Sequence, residues 1–113
     1  MGSSSSASPK TVDAVNSLIQ KNKVLVFSKS YCPYCTDAKN VFTRMNVQPK
    51  VVELDQASNG SEIQSALYQI TSQRTVPNIF INSKHVGGCD DLKAKARSGV
   101  VQDLLKEAGV EYI

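Results

Sequence analysis

The chain has 113 residues, 41% hydrophobic and 20% charged, enough for one globular domain with a real core and too few for two. Its apolar runs, such as residues 24–27, fall far short of a membrane span. Thirteen basic against ten acidic side chains leave a net charge of +3 with no Lys/Arg cluster or aromatic ladder, which argues against nucleic acid and favours at most small anionic ligands.

Residues 1–8 are Ser-rich, with neither the apolar stretch of a secretory signal nor the Arg-rich pattern of a transit peptide. They are expected to form a disordered tail or cloning remnant, with the folded domain over 9–113. Val12, Val15, Leu18 and Ile19 recur at helical spacing and predict a helix over 9–21, with Pro9 in its first turn. Residues 23–28 (KVLVFS) are apolar and β-branched, long enough for a buried strand and too short for a helix. Ala38, Val41, Phe42 and Met45 predict a second helix over 33–45, and residues 50–54 (KVVEL) a second buried strand. Asn59 and Glu62 suggest a capping box for a third helix whose apolar face is Ile63, Ala66, Leu67 and Ile70. Residues 78–81 and 84–86 flank Asn82-Ser83 as a hairpin, Gly87-Gly88 ends it, and short helices follow over 90–97 and 100–108.

The order is helix, β, α, β, α, ββ, α, α. The first two strands and the helix between them make a right-handed parallel βαβ unit, and the hairpin joins antiparallel to the first strand. The expected fold is α/β, a four-stranded mixed sheet flanked by helices, which is the thioredoxin-like architecture.

Three cysteines are an odd number for a disulfide framework, and Cys32 and Cys35 are separated by only two residues. In a reducing compartment such a pair is catalytic or metal-binding rather than structural. Cys32 falls just before the second helix, where free N–H groups and the positive dipole end favour a thiolate, and Lys29 adds a nearby charge. Cys35 falls inside the first turn, where it should be buried and act as the resolving sulfur. Pro33 needs no N–H partner there and stiffens the loop between the sulfurs. Two other readings stay open. Cys32, Cys35, His85 and Cys89 have spacings that zinc tolerates, although His85 should face solvent and no metal is expected. In the second, Cys32 and Cys35 are two inert buried thiols, which their place at a helix start disfavours; Cys89 by itself reads as a packed small apolar residue rather than a reactive one.

Tyr31-Cys32-Pro33-Tyr34-Cys35, Thr75-Val76-Pro77 and Gly87-Gly88-Cys89-Asp90 occur in that order on the predicted elements. From about Pro9 onward the chain resembles a dithiol glutaredoxin. Thioredoxin instead has Gly-Pro between its cysteines and a preceding Trp, and this chain has no Trp. The resemblance implies a cis bond before Pro77, which turns the Val76 N–H and C=O toward an extended peptide-like ligand. It also implies a site for glutathione as co-substrate. There Lys29, helped by Gln73, attracts the glycine carboxylate, Tyr34 flanks the tripeptide, and Thr75 and Val76 line the wall. Cys89 and Asp90 hold the γ-glutamyl end, a role Asp91 could share.

The implied activity is reduction of glutathione mixed disulfides and protein disulfides through Cys32 and Cys35. The implied partners are glutathione and glutathionylated or disulfide-bonded proteins, not nucleic acid or a membrane, with a monomer acting in the cytoplasm. The rival is an iron–sulfur scaffold in which two chains share a cluster through Cys32 and bound glutathione. Pro33 disfavours it, because a stiff loop hinders the close approach such a dimer needs.

Overall fold

The computed structural model describes residues 7–113. Among them are five helices and four strands: α1 (Pro9–Lys21), β1 (Val24–Ser28), α2 (Pro33–Arg44), β2 (Lys50–Glu53), α3 (Gly60–Thr71), β3 (Asn78–Ile81), β4 (Lys84–Gly87), α4 (Cys89–Ser98) and α5 (Val100–Glu107). The sheet order is β2-β1-β3-β4, with β1 parallel to β2 and antiparallel to β3, and β3 antiparallel to β4. The thioredoxin-like α/β arrangement expected from the sequence is therefore present.

Alternation along the strands sorts the core into two layers. Val24 and Val26 of β1 join Ile79 and Ile81 of β3 against Ala38 and Phe42 of α2, Leu92 of α4, and Val101 and Leu105 of α5. Leu25, Phe27 and Phe80 face the other way, onto Val15 and Ile19 of α1 and Ile63, Ala66 and Leu67 of α3. Each fully buried Leu, Ile or Phe contributes about 1.5–3 kcal/mol of transfer free energy to holding these layers together.

Several local expectations change. Ser8, assigned above to the tail, caps α1: its hydroxyl accepts from the Thr11 N–H at 3.2 Å. Ala7, also assigned to the tail, is half-buried against the α1/α3 core layer; the rest of the tail expectation falls on residues 1–6, outside the described residues. Glu62 does not complete a capping box with Asn59, whose side chain makes no cap bond. Its carboxylate instead accepts from the Ser8 and Thr11 hydroxyls at 2.9 and 2.7 Å, fastening α1 to α3. Gly60 opens α3 because the Leu54 carbonyl lies so close that a Cβ there would sit 1.8 Å from its oxygen. β2 is an edge strand, exposed at Lys50 and half-buried beyond it, rather than a buried one; only Leu54, just past its end, is buried. Ile70 lies outside the α3 core face, at 36% exposure. The hairpin turn forms at Asn82 and Ser83, both with positive φ as a tight two-residue turn requires.

This topology brings three segments to one end of the sheet. β1 runs out into residues 29–32, β3 begins there after Pro77, and β4 returns there to enter α4 through Gly88.

Candidate active site

Cys32 is the N-cap of α2, with extended backbone, and Pro33 follows at the first helical position. Its carbonyl accepts from the Thr36 N–H at 3.1 Å, so the helix starts on this residue. The Cys35 N–H points at Cys32 Sγ at 3.4 Å, a donor suited to a sulfur anion. Sγ also lies 3.9 Å from the Val76 carbonyl oxygen across the cleft. Cys32 is partly exposed, whereas Cys35 is fully buried. Burial pushes the Cys35 thiol above its ordinary value, and its hydrogen bond with Cys32 adds to the rise. The two sulfurs thus differ as nucleophiles before any substrate arrives.

Beside Cys32 runs a groove of about 440 Å³. Tyr34, Gln73, Thr75, Val76, Cys89 and Asp90 all line it, together with Pro77, Gly88 and Asp91. The Val76–Pro77 peptide is cis, as the resemblance implied. Tyr31 and Tyr34 stand at the rim, 72% and 63% exposed. Lys29 does not line the groove. It sits half-buried on the turn before Cys32, its carbonyl accepting from the Cys32 N–H at 3.1 Å. A larger hollow of about 690 Å³, by Asn46, Lys106 and residues 110–113, lies at the far end of α2 and contains no thiol.

The expected site residues divide by what they touch. Gln73 is turned onto the loop, its amide donating to the Thr75 and Pro77 carbonyls at 3.0 and 2.9 Å. Asp91 accepts from the Gly88 N–H at 3.0 Å and caps α4. Gly87 permits this, with φ +116° and an added Cβ only 2.3 Å from the Asp91 carboxylate. Asp90 is left exposed on the groove. Cys89 is buried at the first position of α4, and burial pushes its thiol upward, partly offset by Lys93. His85 is exposed, as expected, yet one ring edge meets Asn78 Oδ1 at 2.8 Å and the ring packs on Phe80; this partial desolvation and Lys95 hold its pKa below the ordinary value against the pull of Asp91. Among the described residues, no group of three or more His, Cys, Asp or Glu is placed to hold a metal ion.

Two contributors were not foreseen in the sequence. Asp55 accepts from the Ser30 N–H at 2.9 Å and from the Ser30 hydroxyl, pinning the turn that carries Lys29 and Cys32. Those two bonds, with a smaller contribution from Lys29, hold its carboxyl below the usual range. Arg74, immediately before Thr75, stacks 3.8 Å over the Tyr68 ring, and its carbonyl accepts from the Gln64 amide at 2.6 Å. An Arg adjoining Thr-Val-Pro was the only available signal for it.

A capping, accessible sulfur three residues ahead of a buried one, at the end of a thioredoxin-like sheet, defines a thiol–disulfide redox site. The Glutaredoxin family model matches residues 24–86. A glutaredoxin of Ricinus communis is 55% identical over 92 residues, covering 81% of this chain and 90% of that protein. Wheat glutaredoxin has a solved structure that superposes with a TM-score of 0.86 at 49% identity, covering 90% of this chain and 96% of its own. A buckwheat glutaredoxin–glutathione complex superposes at 0.85 with 41% identity, covering 92% and 98%. The chain belongs to the glutaredoxin family of thiol–disulfide oxidoreductases.

Proposed function

We propose that this protein is a glutathione-dependent reductase of glutathione mixed disulfides and, through Cys35, of protein disulfides. The observation that carries the reading is the partly exposed Cys32 Sγ at the mouth of the groove, 3.9 Å from the Val76 carbonyl. The buckwheat relative's complex with glutathione supports the choice of ligand.

Cys32 thiolate attacks the glutathione sulfur of the mixed disulfide. The S–S bond breaks, the substrate thiolate leaves and takes a proton, and Cys32 becomes glutathionylated. A second glutathione, as thiolate, attacks the glutathione sulfur on Cys32, releasing glutathione disulfide and restoring the Cys32 thiolate. With a protein disulfide, Cys32 first forms a mixed disulfide with the substrate. Cys35, losing its proton, attacks Cys32 Sγ, releases the second substrate thiol and closes a Cys32–Cys35 bridge. One glutathione reopens that bridge at Cys32 and a second removes the adduct as glutathione disulfide.

The tripeptide's cysteinyl unit pairs with the Val76 backbone between Tyr34 and Thr75. Its γ-glutamyl carboxylate meets the α4 N-terminus at Cys89, and its ammonium meets Asp90. Lys29, on the turn before Cys32, and Arg74, next to Thr75, are the cations assigned to the glycine carboxylate at the other end. The protein acts as a monomer in a reducing compartment, the cytoplasm, on glutathionylated or disulfide-bonded proteins.

Turnover of a glutathione-capped peptide by wild type and two variants tests this. Cys32→Ser should abolish it, whereas Cys35→Ser should retain much of it and lose only protein-disulfide reduction. Equal loss in both variants would contradict the roles assigned.

A further inference from the structure

Gln73 and Thr71 form a hydrogen-bonded strut behind the Val76 segment. The Thr71 hydroxyl donates to the Leu67 carbonyl at 2.7 Å, which fixes it on the last turn of α3. It accepts from the Gln73 N–H at 3.0 Å, and from the Asn78 amide at 3.4 Å. Asn78, only 1% exposed, is held on its other side by His85. Between Thr71 and Gln73, Ser72 adopts φ +66° and reverses the chain, returning Gln73 toward the loop it precedes. The Gln73 side-chain amide then spends both its hydrogens on the carbonyls of Thr75 and Pro77, the residues on either side of Val76.

That pattern singles out Val76. Across a trans peptide the C=O and N–H point in opposite directions, so drawing the Thr75 carbonyl to Gln73 aims the Val76 N–H away from it. The Val76 carbonyl stays on the Cys32 side, 3.9 Å from Sγ. Both flanking carbonyls accept from Gln73, so among the described residues the Val76 N–H, and the Val76 carbonyl that meets only the Cys32 sulfur, are the groups turned to a bound peptide. We infer that Gln73 is a positioning residue, braced by Thr71, which presents the Val76 backbone to the substrate's peptide unit and does not itself bind glutathione. The inference rests on the proposed pairing of glutathione with Val76.

The test uses one peptide capped on its cysteine either by glutathione or by free cysteine, with KM and kcat measured separately. Gln73→Met keeps the length and removes both donors; it should raise KM for the glutathione-capped peptide about tenfold and change kcat little. Thr71→Val should do the same to a smaller extent, and Thr71→Ser, which restores the hydroxyl, should recover the wild-type KM. Carbonyl carbon shifts of Thr75 and Pro77 in ligand-free Gln73→Met should also move, because the brace exists without ligand.

Unmoved shifts with a raised KM would overturn the inference and make Gln73 a direct ligand. An unchanged KM in Gln73→Met, with wild type preferring the glutathione cap, would overturn it and leave the proposed function standing. No preference between caps in wild type would defeat the underlying reading itself.

Discussion

Two helices begin at the same groove with a cysteine, and their sulfurs have opposite fates. Cys32 caps α2 from outside the first turn, partly exposed, with the Cys35 N–H directed at its sulfur. Cys89 occupies the first position inside α4, buried, with its thiol pushed upward by desolvation. The helix dipole is present in both places, so it does not select the nucleophile. What differs is the register of the residue on the helix start. One position earlier, the side chain turns back over the free N–H groups and stays in water; one position later, it packs into the core. At α4 the capping task falls to Asp91, and the thiol is left with a packing role.

The largest consequence concerns reactivity. In native Cys32→Ser protein, alkylation by iodoacetamide should fall more than about a hundredfold, because Cys35 and Cys89 are both buried. Rapid residual labelling at Cys89 would break the contrast.

The start of α4 offers a second, smaller separation, between neighbouring carboxylates. Asp91→Ala removes the acceptor for the Gly88 N–H and should cost about 1 kcal/mol, read as a lowered urea midpoint. Asp90→Ala, which removes no side-chain hydrogen bond among the described residues, should leave that midpoint alone and raise KM for the glutathionylated substrate. Exchanged effects would reverse the division of labour between them.

The smallest effect is on pH dependence. Cys35 and Cys89 are both raised in the folded protein, so they remain protonated where the unfolded chain's thiols have already ionised. Their contribution to stability is complete below the ordinary thiol range and declines as pH rises through it. Cys89→Ser should therefore lose less stability than wild type between about pH 8 and about pH 10 in urea titrations. An unchanged slope would show that Cys89 titrates normally.

Much of this was legible because strong periodicities and an uncommon motif spacing coincide. The run 23–28 had to be a strand, Pro33 had to follow a helix cap, and the three motifs fell on elements whose order returns them to one sheet end. The failures lie where long-range contacts decide. The pairing order leaves β2 at the edge, so KVVE reads like a central strand yet is only half-buried. Glu62 has the right spacing to bond near Asn59, but Ser8 and Thr11, more than fifty residues away, capture it. Asp55 and Ser30 are likewise joined only by folding. Gln73 was recognised as a groove residue, but the direction of its amide depends on a left-handed Ser72 that no local pattern announces.

The central claim is that the sulfur capping α2, beside the Val76 groove, is the one that accepts glutathione. Cys35→Ser protein, which cannot resolve an adduct internally, is to be treated with glutathione disulfide and mapped by peptide mass. The account predicts a single glutathione on Cys32, with Cys89 unmodified. Modification at Cys89, or none at Cys32, would contradict it.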